Sequence, residues 1–184
     1  MFRLIVLCLL PLTSLANVAW EDCGAADRSI VFRKVGLASP LTISSSQPLL
    51  MDLAFDLLDP LDTDVNIDIE MRRYFSILGI KTSIKIPCIN DVGSCSGPFC
   101  YFVQSYANLA RSVANQLNVP FSCELEPTHV NGTVTYSVPT SALRRIPSVL
   151  LSAASGDYGL IVRWKSIDRE IACLSIRSNI NIVN

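Results

Sequence analysis

Hydrophobic and polar residues alternate with a period of two along much of this chain. Met51, Leu53, Phe55 and Leu57 are separated by Asp52, Ala54 and Asp56. Val65, Ile67, Ile69 and Met71 are separated by Asn66, Asp68 and Glu70, with Arg72 following. Successive side chains on a strand point to opposite faces, so each run predicts a strand with one dry and one wet face. Thr82, Ile84 and Ile86 continue the alternation against Ser83 and Lys85, but on the opposite parity. A bulge or turn is therefore expected within "RRYFSILGIK", residues 72–81. Further runs follow at Val134, Tyr136 and Val138, at Tyr158, Leu160, Val162 and Trp164, and at Ala172, Leu174, Ile176, Ile180 and Ile182. Several antiparallel strands with one apolar face each predict an all-β sandwich or barrel.

One stretch departs from that period. Phe99, Phe102, Val103, Tyr106, Leu109, Ala110, Val113 and Leu117 form a helical stripe and predict one helix near residues 98–117. Ser96 is placed to cap it, Pro98 suits its first turn and Pro120 stops it. No internal repeat, low-complexity linker or second domain is evident.

The N-terminus changes the picture of where the chain works. Residues 1–16 read "MFRLIVLCLLPLTSLA": an early arginine, an apolar run and then small residues, with Ser14 and Ala16 at the −3 and −1 positions of a signal-peptidase site. The run is shorter than the roughly 20 residues a membrane span needs. Residues 1–16 are therefore expected to be a cleaved secretory signal and residues 17–184 a single exported, soluble domain. Formal net charge is −1 and falls further once Arg3 leaves, so no basic excess points to nucleic acid. Charged residues make up only 17% of the chain, which hints at more apolar surface inside than a simple core requires.

Cys8 leaves with the signal, and Cys23, Cys88, Cys95, Cys100, Cys123 and Cys173 remain. An even set in an oxidising compartment favours disulfides. Zinc would want closer pairs and histidines, whereas His129 is the only histidine. A cysteine nucleophile would need a spare thiol. Six cysteines allow many pairings, and spacing alone selects none. Plausibility narrows them: Cys88 and Cys95 can close a loop through the turn-prone "INDVGS", and Cys100 and Cys123 can bracket the segment between them. Cys23 with Cys173 is then left to clamp the ends of the domain.

Catalytic signals are weak. His129 lies in the polar "EPTHVNGT" with no nucleophile motif to serve, and reads as a surface residue. Asp52, Asp56, Asp59, Asp62, Asp64, Asp68 and Glu70 form a run without basic residues. Paired carboxylates can cleave glycosides, and calcium is conceivable, but the EF-hand pattern is missing. The alternation already assigns most of these carboxylates to wet strand faces. No metal or cofactor is expected, and the chain is expected not to be an enzyme; a small hydrolase using the acidic run is the reading from a different class. Asn131-Gly132-Thr133 is an N-glycosylation sequon, which places that turn on the surface.

Two segments carry large apolar side chains outside the alternation. Tyr74, Phe75, Ile77 and Leu78 follow Arg72 and Arg73; Val149, Leu150 and Leu151 follow Arg144, Arg145 and Pro147. A basic doublet beside a greasy tip suits a loop touching an anionic membrane surface. A β-cup carrying lipid unites these features, because an acyl chain loses about 0.8 kcal/mol per CH2 left in water. Two splayed sheets would form an open cup around an apolar cavity, with Phe55, Ile67, Ile69, Val134, Tyr136, Leu160, Val162 and Leu174 as candidate walls.

"IKIPC", then "GSC", then "FC" entering a helix resembles the ganglioside-activator members of the lipid-recognition (ML) domain family. The likeness runs from "WEDCG" at Trp20 to "CLSI" at Cys173, and "IPSVLLSAASGDYGLIV" resembles their membrane-facing loop and next strand. The resemblance implies a cup of two antiparallel sheets around an apolar pocket and disulfides Cys23–Cys173, Cys88–Cys95 and Cys100–Cys123. It implies a secreted or lysosomal carrier that binds glycosphingolipid, phospholipid or fatty acid and meets membranes peripherally and transiently. Such activators present a glycosphingolipid to a lysosomal hexosaminidase without doing chemistry themselves. A sterol carrier or a lipid-sensing receptor accessory protein shares the architecture. Three departures stand out: a further rim disulfide has no counterpart, leaving the region near Pro127 to Asn131 less tied down; Val149 stands where a loop tryptophan is usual; and the sequon lies at a different site.

Overall fold

The structure is a computed structural model and describes residues 18–140 and 154–183. Among the described residues, the named elements are two sheets and two short helices. In chain order the elements are β1 (Ala19–Asp22), β2 (Ile30–Leu37), β3 (Leu41–Ile43), β4 (Leu49–Leu57), β5 (Asn66–Ile77), β6 (Ile80–Lys85) and β7 (Ser96–Pro98). Then come α1 (Phe99–Ser105), α2 (Ala107–Leu117), β8 (Thr128–Tyr136), β9 (Gly156–Lys165) and β10 (Glu170–Ile182). The small sheet has order β2-β4-β8. The large one runs β1-β10-β9-β5-β6, with β3 also on β10 and β7 also on β5. Every pairing is antiparallel except β3 with β10. The all-β sandwich read from the alternation is the observed fold class.

The inward residues of the alternating runs form the core. Ile30, Phe32, Val35 and Leu57 from the small sheet meet Ile171, Ala172 and Leu174 from the large one. β2 was not evident in the sequence because a bulge between Phe32 and Lys34 shifts its parity halfway. The parity switch expected within residues 72–81 is the β5–β6 hairpin, where Ile77 pairs with Ile80 across Leu78 and Gly79. Both turn residues have positive φ, 50° and 84°, the conformation a two-residue hairpin needs to match strand twist.

The expected single helix is two. The chain breaks at Tyr106 (φ −108°, ψ 33°), and α2 ends at Asn118 in the left-handed conformation, before Pro120 is reached. Ser96 lies in β7 and caps nothing; the Phe99 N–H instead donates to Val65 O at 2.8 Å. α2 shields the free edge of β8. Thr135 N donates to Gln116 Oε1 at 2.7 Å, and Gln116 Nε2 donates to Thr135 O at 3.1 Å, so one side chain substitutes for a neighbouring strand.

β8 corrects two expectations. Asn131 lies inside this strand, opposite Ala54, not in a turn, although it is exposed as a sequon requires. Of the region near Pro127 to Asn131, expected to be less tied down, residues 128–131 are paired with β4 along its ladder. Gly132 hid the strand from the alternation. It takes an inward position where a Cβ would stand 3.0 Å from Leu117 Cδ2, so its missing side chain lets α2 approach.

The three disulfides join Cys23 to Cys173, Cys88 to Cys95 and Cys100 to Cys123, with Cα–Cα separations of 4.9, 4.8 and 5.3 Å. They indicate an oxidising environment, extracellular or lysosomal. Among the described residues, no helix is long and apolar enough to cross a membrane.

Candidate functional site: an apolar cavity beside the helices

The inner face of the small sheet is only partly covered by the large one. The remainder faces a cavity of ≈ 390 Å³. Ile30, Phe32, Met51, Leu53, Phe55 and Leu57 line one side. Phe99, Val103, Ala110, Val113, Ala114 and Leu117 line the helical side, followed by Val119–Ser122 and Leu125; Leu61, Trp164 and Leu174 complete the wall. Among the described lining residues, Ser122 alone has a hydroxyl, amide or charged side chain. Aromatic contact stiffens the base, where Phe32 lies 6.2 Å from Phe55 and 5.7 Å from Trp164, centroid to centroid. The Cys100–Cys123 disulfide ties α1 to the segment after α2, so it staples two parts of this wall.

The expected wall residues fall into three groups. Phe55 and Leu174 line the cavity. Val134 is buried in an adjoining cluster with Leu117 and Val130, and Ile67 is buried on β5. Ile69, Tyr136, Leu160 and Val162 are half-buried and do not line this cavity. The helical lining was missed as a wall, although its stripe was plain in the sequence. The stripe predicts a helix but does not say what that helix faces.

The expected membrane tip is also rearranged. Tyr74 and Phe75 belong to strand β5, not to a loop, and are half-buried. Tyr74 lies over Gly159, with the Arg177 guanidinium 4.2 Å from its ring centroid. Arg72 bonds Glu70 and Ser83, and Arg73 donates to Ser155 O at 3.0 Å, so neither points to the tip. What projects is the hairpin turn itself: Ile77, Leu78 and Ile80 are exposed, Leu78 to 98%. Lys81 and Lys85 follow on β6. Val149, Leu150 and Leu151, like residues 1–16, lie outside the described residues.

No family model and no curated protein matches the chain.

None of the carboxylates of the acidic run lines the cavity. Asp52 bonds Lys34 at 2.8 Å and Thr133 at 2.7 Å, while Asp56 bonds Arg33 at 2.7 Å and His129 Nδ1 at 2.5 Å. Asp68 pairs with Lys165 and Glu70 with Arg72. Apart from Arg72, which follows Glu70 on β5, these basic partners arrive from neighbouring strands. The hydrogen bond from Lys34, then that from Thr133, hold the Asp52 carboxyl below its usual range; those from His129 and Arg33 do so for Asp56. Asp59, Asp62 and Asp64 border a smaller polar hollow with Ser29 and Arg169. There, hydrogen bonds from Ser29 (2.7 Å) and Arg169 (3.1 Å) lower the Asp59 pKa. A general acid needs the opposite shift. Among the described residues, no group of three or more His, Cys, Asp or Glu is placed to hold a metal ion.

Proposed function

We propose that this chain is a non-enzymatic lipid carrier, which withdraws a lipid from a membrane, shelters its hydrocarbon in the cavity and delivers it elsewhere. The observation that carries the reading is the ≈ 390 Å³ hollow with an almost wholly apolar wall. That volume lies within the roughly 300–1,000 Å³ of small-molecule sites. Left empty and closed, it would cost about 9 kcal/mol at ~24 cal/mol per Å³, a large part of a domain's total stability of about 5–15 kcal/mol. Its opening to solvent lowers that figure, and an apolar ligand offsets it.

Two further features support the carrier reading. The Cys100–Cys123 disulfide holds the helical wall where side-chain packing is interrupted. The hairpin tip exposes Leu78 in a left-handed conformation that costs a non-glycine residue about 1–2 kcal/mol, so neither burial nor backbone preference accounts for an apolar side chain there. Insertion into a bilayer interface does, with Lys81 and Lys85 near anionic lipid. The resemblance of the cysteine pattern to that of the ganglioside activators suggests a glycosphingolipid as cargo, a lysosomal or secreted destination and a glycosidase such as hexosaminidase as recipient.

Liposome-to-liposome transfer of a fluorescent glycosphingolipid tests the reading. The protein is expected to accelerate transfer, and Leu78→Asp with Ile80→Asp to slow it at least tenfold while leaving the thermal midpoint in place. Transfer of sterol in preference to sphingolipid would redirect the cargo. No acceleration for any lipid would remove the carrier function.

A further inference from the structure

We propose that the cavity mouth recognises an anionic headgroup through Arg111, so that the ligand is a carboxylate- or phosphate-headed amphiphile. This rests on the lipid-carrier reading and specifies the chemistry at its opening. Three residues locate the mouth: Pro120, Phe121 and Ser122 all line the cavity and are all exposed, Phe121 to 38%. A side chain that is at once wall and surface marks where inside meets outside.

Arg111 stands on that rim. It follows the lining residue Ala110 on α2, and its guanidinium carbon lies 4.9 Å from the Phe121 ring centroid. A guanidinium resting on a ring face keeps its N–H edge free for a second partner. Among the described residues, no carboxylate lies within 4.0 Å of Arg111. Arg28, Arg33, Lys34, Arg72, Arg163, Lys165 and Arg169 each have a carboxylate; of the described cations without one, Arg73, Lys81, Lys85, Arg111 and Arg177, Arg111 is the one in contact with an exposed residue of the cavity wall. Glu124 is close in sequence, but its contact with the rim is its backbone N–H donating to Ser122 Oγ at 3.1 Å. The Ser122 hydroxyl keeps its own hydrogen to donate. An anion above Phe121 would therefore meet a planar fork of charged donors beside a hydroxyl donor, a match for carboxylate or phosphate oxygens.

Displacement of the neutral fluorophore N-phenylnaphthylamine by oleate, oleoyl lysophosphatidate and monooleoylglycerol tests the proposal. Wild-type protein is expected to bind both anions more tightly than the neutral glyceride, and added salt to narrow the gap. Arg111→Gln should weaken the anions about tenfold and leave the glyceride unchanged, and Arg111→Lys should recover part of the loss. Whichever anion loses more identifies the headgroup the rim fits. Equal binding of all three ligands, or equal weakening of all three by Arg111→Gln, overturns the headgroup assignment alone. Failure of all three to displace the fluorophore overturns the carrier reading with it.

Discussion

Two chemistries lie one residue apart on β4. Its outer face carries Asp52 and Asp56, each held by two partners from β2 and β8. Its inner face carries Met51, Leu53, Phe55 and Leu57, which look across a gap. The wet face is locally complete: its groups can satisfy one another or water. The dry face is not, because dispersion and burial need atoms on the far side, and over the cavity there are none. The two faces of a single strand therefore differ in kind: the exterior is paired, while the interior borders an apolar gap, which is the space the proposed carrier role would use.

The frame should fail most severely. Replacing Cys23 and Cys173 with serine opens a loop spanning 150 residues and should cost about 5 kcal/mol in chemical denaturation. Removing Cys100–Cys123, with a separation of 23, should cost about 3 kcal/mol and also lower lipid affinity, since it frees the helical wall. Overpacking separates solid core from hollow. Ala172 is fully buried, so Ala172→Leu should cost about 3 kcal/mol, whereas Ala110→Leu enters the gap and should leave the unfolding midpoint in place while reducing ligand capacity. Equal losses at the two alanines would mean that the gap is already filled by protein.

Smaller effects belong to the wet face. Hydrogen bonds from Lys34 and Thr133 lower the Asp52 carboxyl, those from His129 and Arg33 lower Asp56, and those from Lys165 and Ser96 lower Asp68. A folded-state pKa below the unfolded one adds stability that is fully present above the unfolded value. That contribution disappears as pH falls through the folded values, so denaturation midpoints should be flat in mildly acidic buffer and drop below about pH 4. Asp52→Asn alone should shift the midpoint least, because exposed pairs contribute little, and it should leave lipid binding untouched.

The alternation made most long strands legible because one face of each meets water and the contrast survives in the sequence. It failed where a single residue disturbed the count: the bulge at Phe32–Lys34 concealed half of β2, and Gly132 disguised β8 as a polar turn. The helix was legible as an apolar stripe, but its break at Tyr106 was not, since an aromatic residue gives no local stop signal. Spacing alone did not select the disulfide partners, although the pairing that turn chemistry and short loops made plausible is the one observed. The cavity wall was the least legible part. Leu160 and Trp164 share one parity on β9, yet only Trp164 reaches the cavity. Which dry residues find partners depends on how far two sheets and a helix stand apart, a tertiary distance that periodicity does not encode.

Native mass spectrometry of the protein recovered from a eukaryotic secretory host tests the central claim most directly. The account predicts one bound lipid per chain, lost when Leu53→Trp and Ala110→Leu together fill the cavity. A bare protein mass that stays bare after incubation with liposomes, or a lipid retained undiminished by the filled variant, would contradict it.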